Sequence, residues 1–501
     1  MSETGPAADG KDASNLGALG DEGIKRGRLR RSAPLVGLTA RTAGEVVVVG
    51  LRSKLTGADS SEFHVRTAER YAELLGRSKG ALMKAGQMLS FVSAGPAVPE
   101  RFQTVYQTAL SRLRDQAPPM SPELARTVLE RELGRTAESA FAGFDWEPIA
   151  AASIGQVHVA RLHDGRAVAV KIQYPGVAQA IDADLKNNEL LVTFLGLLFG
   201  LSPRKVEFDL RGAAQELRAR IVEELDYRRE AASQAEFAGY YRGHPFIHVP
   251  EVIGELCGDR LLTQELVEGF SWEQALTAEQ SLRDRWGEAI HRFVYGSNHR
   301  FGVLNADPHP GNYVFHDDGS VSFLDFGCVK RFAREQVELM HVVGRECLRG
   351  DVQGTWRASV EAGFWRSSDP VAPEEVFEYW HEPWKMWWED QPFTVTPEYV
   401  SEWIERKFSP VGPSANAFRY ITASPDYTIM SRVEMGEASV LAELRATNYW
   451  RSIAREYFEG AEPVTAIGKS DRAFFDEREA AGRGPDRKAR RHARVGGGSH
   501  A

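Results

Sequence analysis

The chain has few of the features that mark an oxidising or membrane-embedded protein. Its 501 residues hold three cysteines, Cys257, Cys328 and Cys347, far apart and without a Cys-x-x-Cys. That usage suits a reducing compartment and argues against a disulfide framework or a structural zinc site. No apolar run reaches the roughly 18 residues of a membrane span. The longest, Leu190 to Leu201, has twelve residues and includes Thr193, Gly196 and Gly200. It reads as a buried helix, with a membrane-facing segment as the competing reading. Positive charge is not in surplus: 61 Lys and Arg stand against 70 Asp and Glu, for a net charge of -9. That balance argues against nucleic acid as a partner. The first residues are polar and show no secretory signal. The expectation is a cytoplasmic protein that could touch a membrane peripherally. A hydrophobic content of 43% over this length gives material for more than one core.

What is present centres on Asn305-Ala-Asp-Pro-His-Pro-Gly-Asn312 and, after a short hairpin-like segment, Leu324-Asp-Phe-Gly327. Asp307 and Asn312 have the Asp-x-x-x-x-Asn spacing of a kinase catalytic loop, and Asp325 opens an Asp-Phe-Gly. Val314-Phe315 and Val321 to Leu324 read as strands around a turn at Asp317 to Ser320. Phosphoryl transfer needs one carboxylate near the nucleophile's proton, and an amide and a second carboxylate to hold Mg²⁺ against the phosphates. Pro, Gly, Asn and Asp also make ordinary turns. The Asp-Phe-Gly at the right distance decides against a mere turn.

The second informative stretch runs from Pro148 to Lys171 and reads as strand, loop, strand, turn at His163 to Arg166, and strand. Set against the Gly-x-Gly-x-x-Gly-x-Val of a phosphate-covering loop, it lacks two glycines. Ala150 and Ala152 take their places, Ala151 and Ser153 lie between and after them, and only Gly155 and Val157 match. Val168-Ala-Val-Lys171 then puts Lys171 where a kinase holds the α- and β-phosphates. Glu223 to Glu230 offers carboxylates for it. On a helix Asp226 and Glu230 share a face, while Glu224 and Asp226 do not. Glu251 to Ile253 and Leu261 to Leu266 read as strands. Glu265 to Gly269, with Val267 in the middle, would be a hinge whose backbone meets an adenine edge.

Along the chain, residues 1–35 read as a disordered tail with the basic run Lys25 to Arg31. That run suits either an anionic membrane surface or a solvated tail. Residues 36–145 read as a helical extension carrying Lys84-Ala-Gly-Gln87. Residues 146–269 read as a small strand-rich lobe with a helical insert, 270–469 as a helical lobe, and 470–501 as a disordered tail. No Ala-Pro-Glu follows the Asp-Phe-Gly, and a helical pattern resumes near Arg334. The run Tyr379 to Trp388 reads as core packing, with an apolar ligand surface as the alternative.

Taken in order, Lys84-Ala-Gly-Gln87, Ala150-Ala-Ala-Ser153, Val168-Ala-Val-Lys171, Glu224-Leu-Asp226, Arg229-Glu-Ala231, Asp307 to Asn312 and Asp325-Phe-Gly327 resemble the UbiB family of atypical kinases, the AarF and coenzyme Q kinase-like proteins. The resemblance covers about residues 65–340. It implies an α+β, two-lobed, protein-kinase-like fold with an N-terminal helical extension packed over the active site. By position it implies that Lys171 contacts phosphates and pairs with Glu230, and that Asp307 is the catalytic-loop carboxylate. Asn312 and Asp325 would bind Mg²⁺, and Lys84, Gly86, Gln87, Glu224 and Asp226 would form a lid over ATP or ADP. It also implies a role in isoprenoid-quinone or lipid metabolism, with a small-molecule or lipid substrate and a biosynthetic complex or homodimer as partners. Two rivals stand beside it: a phosphotransferase of the aminoglycoside-kinase type, and a nucleotide-gated scaffold.

Overall fold

The computed structural model describes residues 119–151, 154–179, 225–408, 412, 414–422 and 425–482. Lys25 to Arg31, Lys84, Gly86, Gln87, Ala152, Ser153, the Leu190 to Leu201 run and Glu224 lie outside the described residues. The chain divides into two compact units. One takes residues up to Arg229 with Ile253–Glu265, the other Glu230–Val252 with everything from Leu266 on. The expected boundary after residue 269 therefore falls a few residues earlier, and Glu230–Val252 goes with the second unit.

The described part of the first unit is a helix against an antiparallel sheet. Helix α1 (Pro122–Leu133) starts at Ser121, whose side chain caps the Leu124 N–H, with Pro122 in the first turn and Gly134 closing the end in the left-handed region. Its buried residues, Ala125, Val128 and Leu129, follow the helical period. After a single turn, α2 (Ala137–Ala140), come strands β1 (Gly143–Phe144), β2 (Ala150–Ala151), β3 (Gly155–Arg161) and β4 (Ala167–Gln173). Strand order is β1-β3-β4-β6, with β6 at Leu261–Glu265 and β2 also on β3. β1 lies in a stretch that reads as helical. Gly143 is a poor helix former, and Phe144 packs on Trp146 at 4.2 Å and on His158 at 5.3 Å between ring centroids, which holds the chain extended. Glu251 to Ile253 pairs only at a single bridge residue, Val252, with the Ile253 N–H donating to the Thr263 carbonyl of β6 at 2.9 Å, in place of the expected strand. It is bracketed by Pro250 and Gly254, and a 3₁₀ turn at Gly254–Leu256 follows at once.

The boundary between units falls within helix α3 (Tyr227–Tyr241). Asp226 does not sit on that helix's face as expected. It precedes the helix, and its Oδ1 accepts the Arg229 N–H at 3.0 Å as a cap, because aspartate competes better at a helix start than inside it.

The second unit is mainly helical. After β5 (Ile247–His248) and the short α4 (Trp272–Leu276), its long helix α5 (Gln280–Phe301) buries Trp286, Ile290, Phe293 and Val294. Gly302, at φ 66°, turns the chain into β7 (Val303–Asn305). Strands β8 (Tyr313–Phe315), β9 (Val321–Phe323) and β10 (Val329–Arg331) precede helices α6 (Arg334–Leu348), α7 (Val352–Glu361) and α8 (Pro373–His381). Strand β11 (Phe393–Thr394), helices α9 (Pro397–Phe408), α10 (Ala415–Tyr420) and α11 (Pro425–Leu444), strand β12 (Thr447–Asn448), and helices α12 (Trp450–Glu459) and α13 (Ala466–Ala480) complete it. The tryptophan run is core packing: Trp387 is buried in the main core, Tyr379 and Trp380 in a second, smaller one, and Trp384 and Trp388 pack against both. The expected tail from residue 470 begins inside α13. Its charged composition hides Asp471, which is buried against Arg300 and His244, and Phe475, which packs on the core.

Candidate active site

Two short ladders in the second unit set the geometry. β7 pairs antiparallel with β10, Asn305 opposite Val329, and β8 with β9, Tyr313 opposite Phe323. Asp307 to Asn312 links β7 to β8, and Asp325-Phe-Gly327 links β9 to β10. The residues of β7 and β9, with Tyr313 and Phe315 of β8 and Val329 of β10, are buried, so the polar links are fixed at both ends. The Ala306 N–H donates to the Cys328 carbonyl at 2.8 Å, and the Leu324 N–H to the Asn312 carbonyl at 2.9 Å. These two backbone bonds place Asp307 and Asn312 beside Asp325 without any help from the side chains.

The side chains then lock the arrangement. The amide of Asn305 accepts the Asp307 N–H at 3.2 Å and donates to the Asp325 carbonyl at 2.9 Å, tying the two loops together. The Asn312 Nδ2 donates to Asp307 Oδ2 at 3.1 Å. Asp325 Oδ1 accepts the Gly327 N–H at 2.9 Å, which folds the Asp-Phe-Gly back on itself. His309 shapes the loop. Its Nδ1 accepts the Gly311 N–H at 2.9 Å and caps the 3₁₀ turn Pro310–Asn312. Asp307, Asn312 and Asp325 are half-buried, whereas Phe326 beside them is buried in the core. The Tyr313 phenol, next to Asn312, is held well above its ordinary pKa by burial and by the carboxylates of Glu437 and Asp307. It keeps its proton at neutral pH.

A residue with no motif of its own also reaches this web. Arg432, on α11, donates from Nη2 to Asp307 Oδ1 at 3.1 Å. One turn on, Gly436 lies so close to Pro308 that a Cβ there would run into the proline ring. A lone arginine on a helix gives no signal in the sequence. Asn305 sits within the motif, but its double role depends on the ladders.

The donor chemistry fits Mg²⁺. Because Asn312 spends its Nδ2 on Asp307, its amide oxygen is turned the other way, and Asp325 adds a carboxylate. Mg²⁺ takes oxygen ligands and keeps most of its water, so one or two carboxylates and an amide suffice. Among the described residues no three His, Cys, Asp or Glu side chains gather into a metal site of another kind.

In the first unit, Lys171 lies on β4 opposite Val157 of β3 and Leu262 of β6, with its Nζ 4.9 Å from the Tyr227 ring centroid. Gly155 has a packing reason. A Cβ there would strike the Ile172 carbonyl oxygen and press on the Tyr227 hydroxyl, so only glycine lets β3 meet β4 at that point. Ala150 is exposed on β2, opposite Val157, and Ala151 lies opposite Gln156. Glu265 ends β6 opposite Val168. Val267 follows in the second unit, where Glu230 is buried near the start of α3.

Residues 112–358 match the ABC1 atypical kinase-like domain. The atypical kinase COQ8B, mitochondrial, of Rattus norvegicus is 35% identical over 286 residues, which is 57% of this chain and 52% of that protein. The atypical kinase COQ8, mitochondrial, of Saccharomyces cerevisiae is 31% identical over 297 residues, 59% of this chain and 57% of that protein. The chain thus spans about half the length of the curated relatives it matches. Among solved structures, the Rv3197–erythromycin complex from Mycobacterium tuberculosis superposes with a TM-score of 0.55 at 29% identity, covering 75% of this chain and 92% of that one.

Proposed function

We propose, from the match of residues 112–358 to the ABC1 atypical kinase-like domain, that the chain binds ATP or ADP with Mg²⁺ and hydrolyses or transfers the γ-phosphoryl group. The observation that carries the reading is the web of Asn305, Asp307, Asn312 and Asp325 at the joint of two ladders. In this reading Asp307 orients the nucleophile, and Asn312 and Asp325 hold the ion. Lys171 holds phosphates by its place in Val168 to Lys171, with Glu230 as its carboxylate. Ala150 to Ser153, Gly155, Val157, Glu265 and Val267 border the nucleotide, and Lys84, Gly86, Gln87, Glu224 and Asp226 belong to a lid. Bound Mg²⁺ would neutralise charge on the phosphates. In hydrolysis the water oxygen bonds to the γ-phosphorus as the bridging oxygen leaves on ADP with the bonding pair, and the water's proton passes to phosphate. The loose transition state of this reaction asks more for orientation and charge than for a strong base.

The work this chemistry serves is isoprenoid-quinone or lipid metabolism, by kinship with the coenzyme Q kinases, and the acceptor or regulator is an apolar small molecule. The erythromycin complex of the mycobacterial protein supports a second candidate, a macrolide, and adding erythromycin to the ATPase assay tests it. The primary experiment is a thermal shift. ATP and ADP should raise the melting temperature only with Mg²⁺ present, by an amount equivalent to about 2.7 kcal/mol at a hundredfold excess over Kd. Asp325→Asn should lose most of that gain. An unchanged shift in the variant would remove Asp325 from the site.

A further inference from the structure

Asp307 is held from two sides by two elements. Asn312, in its own loop, donates to Oδ2 at 3.1 Å, and Arg432, distant in sequence on α11, donates to Oδ1 at 3.1 Å. The approach of α11 is built in, because Gly436 on the same helical face leaves room for Pro308. Arg432 and Asp307 keep 28% and 30% of their side-chain surface exposed, so a solute can reach the pair. An ionised carboxylate has about four acceptor sites, and these two bonds fill two of them. The remaining sites face a fixed direction as long as both donors stay in place. An Asp307 held by Asn312 alone could rotate about χ1 and χ2. Misplacing a catalytic group by about 1 Å can cost on the order of a hundredfold in rate.

We propose that Arg432 is a positioning residue for phosphoryl transfer, fixing the Asp307 carboxylate through their ion pair so that a free acceptor site meets the attacking hydroxyl or water. The proposal rests on the phosphoryl-transfer reading above. It goes beyond the family match, since Arg432 lies outside residues 112–358.

The test compares full-length wild type, Arg432→Ala, Arg432→Lys, Asp307→Asn and the Arg432→Ala/Asp307→Asn double variant. Steady-state ATPase with Mg²⁺ should show kcat down about ten- to a hundredfold in Arg432→Ala. Nucleotide Kd, read by fluorescence, should stay within about threefold, because Asp307 orients rather than binds. Arg432→Lys should recover part of kcat, and millimolar guanidinium should recover part of it in Arg432→Ala, which a merely destabilised helix would not do. In the nucleotide-free protein, denaturant unfolding of the four-member cycle should be non-additive by about two- to fivefold in the unfolding constant, as for a partly exposed ion pair. An additive cycle, or a kcat unchanged or raised in Arg432→Ala, overturns the proposal while leaving the phosphoryl-transfer reading standing. A wild type that neither binds Mg²⁺-nucleotide nor turns it over overturns both.

Discussion

His299 of α5 and His341 of α6 meet with Nδ1 of one 3.2 Å from Nε2 of the other. Burial, with Arg334 and Arg345 nearby, pushes the His341 imidazole down to about 4. In the unfolded chain the same group takes its proton near pH 6.5. Between these values the unfolded chain binds more protons, so stability falls as pH drops from about 6.5 towards 4. At pH 5 the loss attributable to this residue is about 2 kcal/mol. His341→Gln should be less stable at pH 7 if the ring packing matters, but its denaturant midpoint should shift less between pH 7 and pH 5 than that of wild type. Equal shifts in both proteins would assign the acid sensitivity to other groups.

Helices α11 and α13 carry side chains that pin elements far away in sequence. Asp471 of α13 pairs with Arg300 and with His244, and Arg292 approaches it at 3.8 Å. Burial would raise its carboxyl, and Arg300, His244 and Arg292 bring it down to about 2. Asp471→Asn takes the paired carboxylate from the Arg300 guanidinium, while Arg292 keeps Glu288 and Glu456, and should cost about 3–5 kcal/mol, read as a lower denaturant midpoint at constant slope. A loss below about 1 kcal/mol would mean that solvent or Glu456 compensates. The same helices show where the sequence was readable. The ladder of β8 and β9 was legible in Val314-Phe315 and Val321 to Leu324, because turn residues between short apolar strands leave little choice of geometry, whereas the three-residue strands of the β7–β10 ladder carried no such signal. The hairpin of β3 and β4 was legible for the same reason. Asp471 and Arg432 were not, since one charge on an amphipathic helix looks solvated until the opposite wall is known. Asp226 misled because a capping aspartate and a helical one differ only in where the helix begins.

At the scale of the whole molecule, the family match and the folding unit do not coincide. The match ends at residue 358, inside α7. The core around Trp286, Phe293 and Phe326 also takes in Trp387, Trp403, Val433, Leu441 and Trp450, all beyond that point. Trp387, Trp403 and Trp450 are 0%, 4% and 0% exposed. A buried tryptophan removes roughly 200 Å² from water, or about 5 kcal/mol at about 25 cal/mol/Å². Three of them supply an upper estimate of about 15 kcal/mol, the size of a whole domain's net stability. The helices after residue 358 are therefore part of the body that holds Asp307 and Asp325 in place, and α11 adds Arg432 to it. A fragment of residues 112–358 should stay soluble poorly, bind a hydrophobic dye and melt without a cooperative transition. It should also lack the Mg²⁺-dependent nucleotide shift expected of the full chain. The measurement is differential scanning fluorimetry of both, with and without Mg²⁺-ATP. A cooperative, nucleotide-stabilised transition in the fragment would show that the core divides at residue 358 and that the C-terminal helices are dispensable to the site.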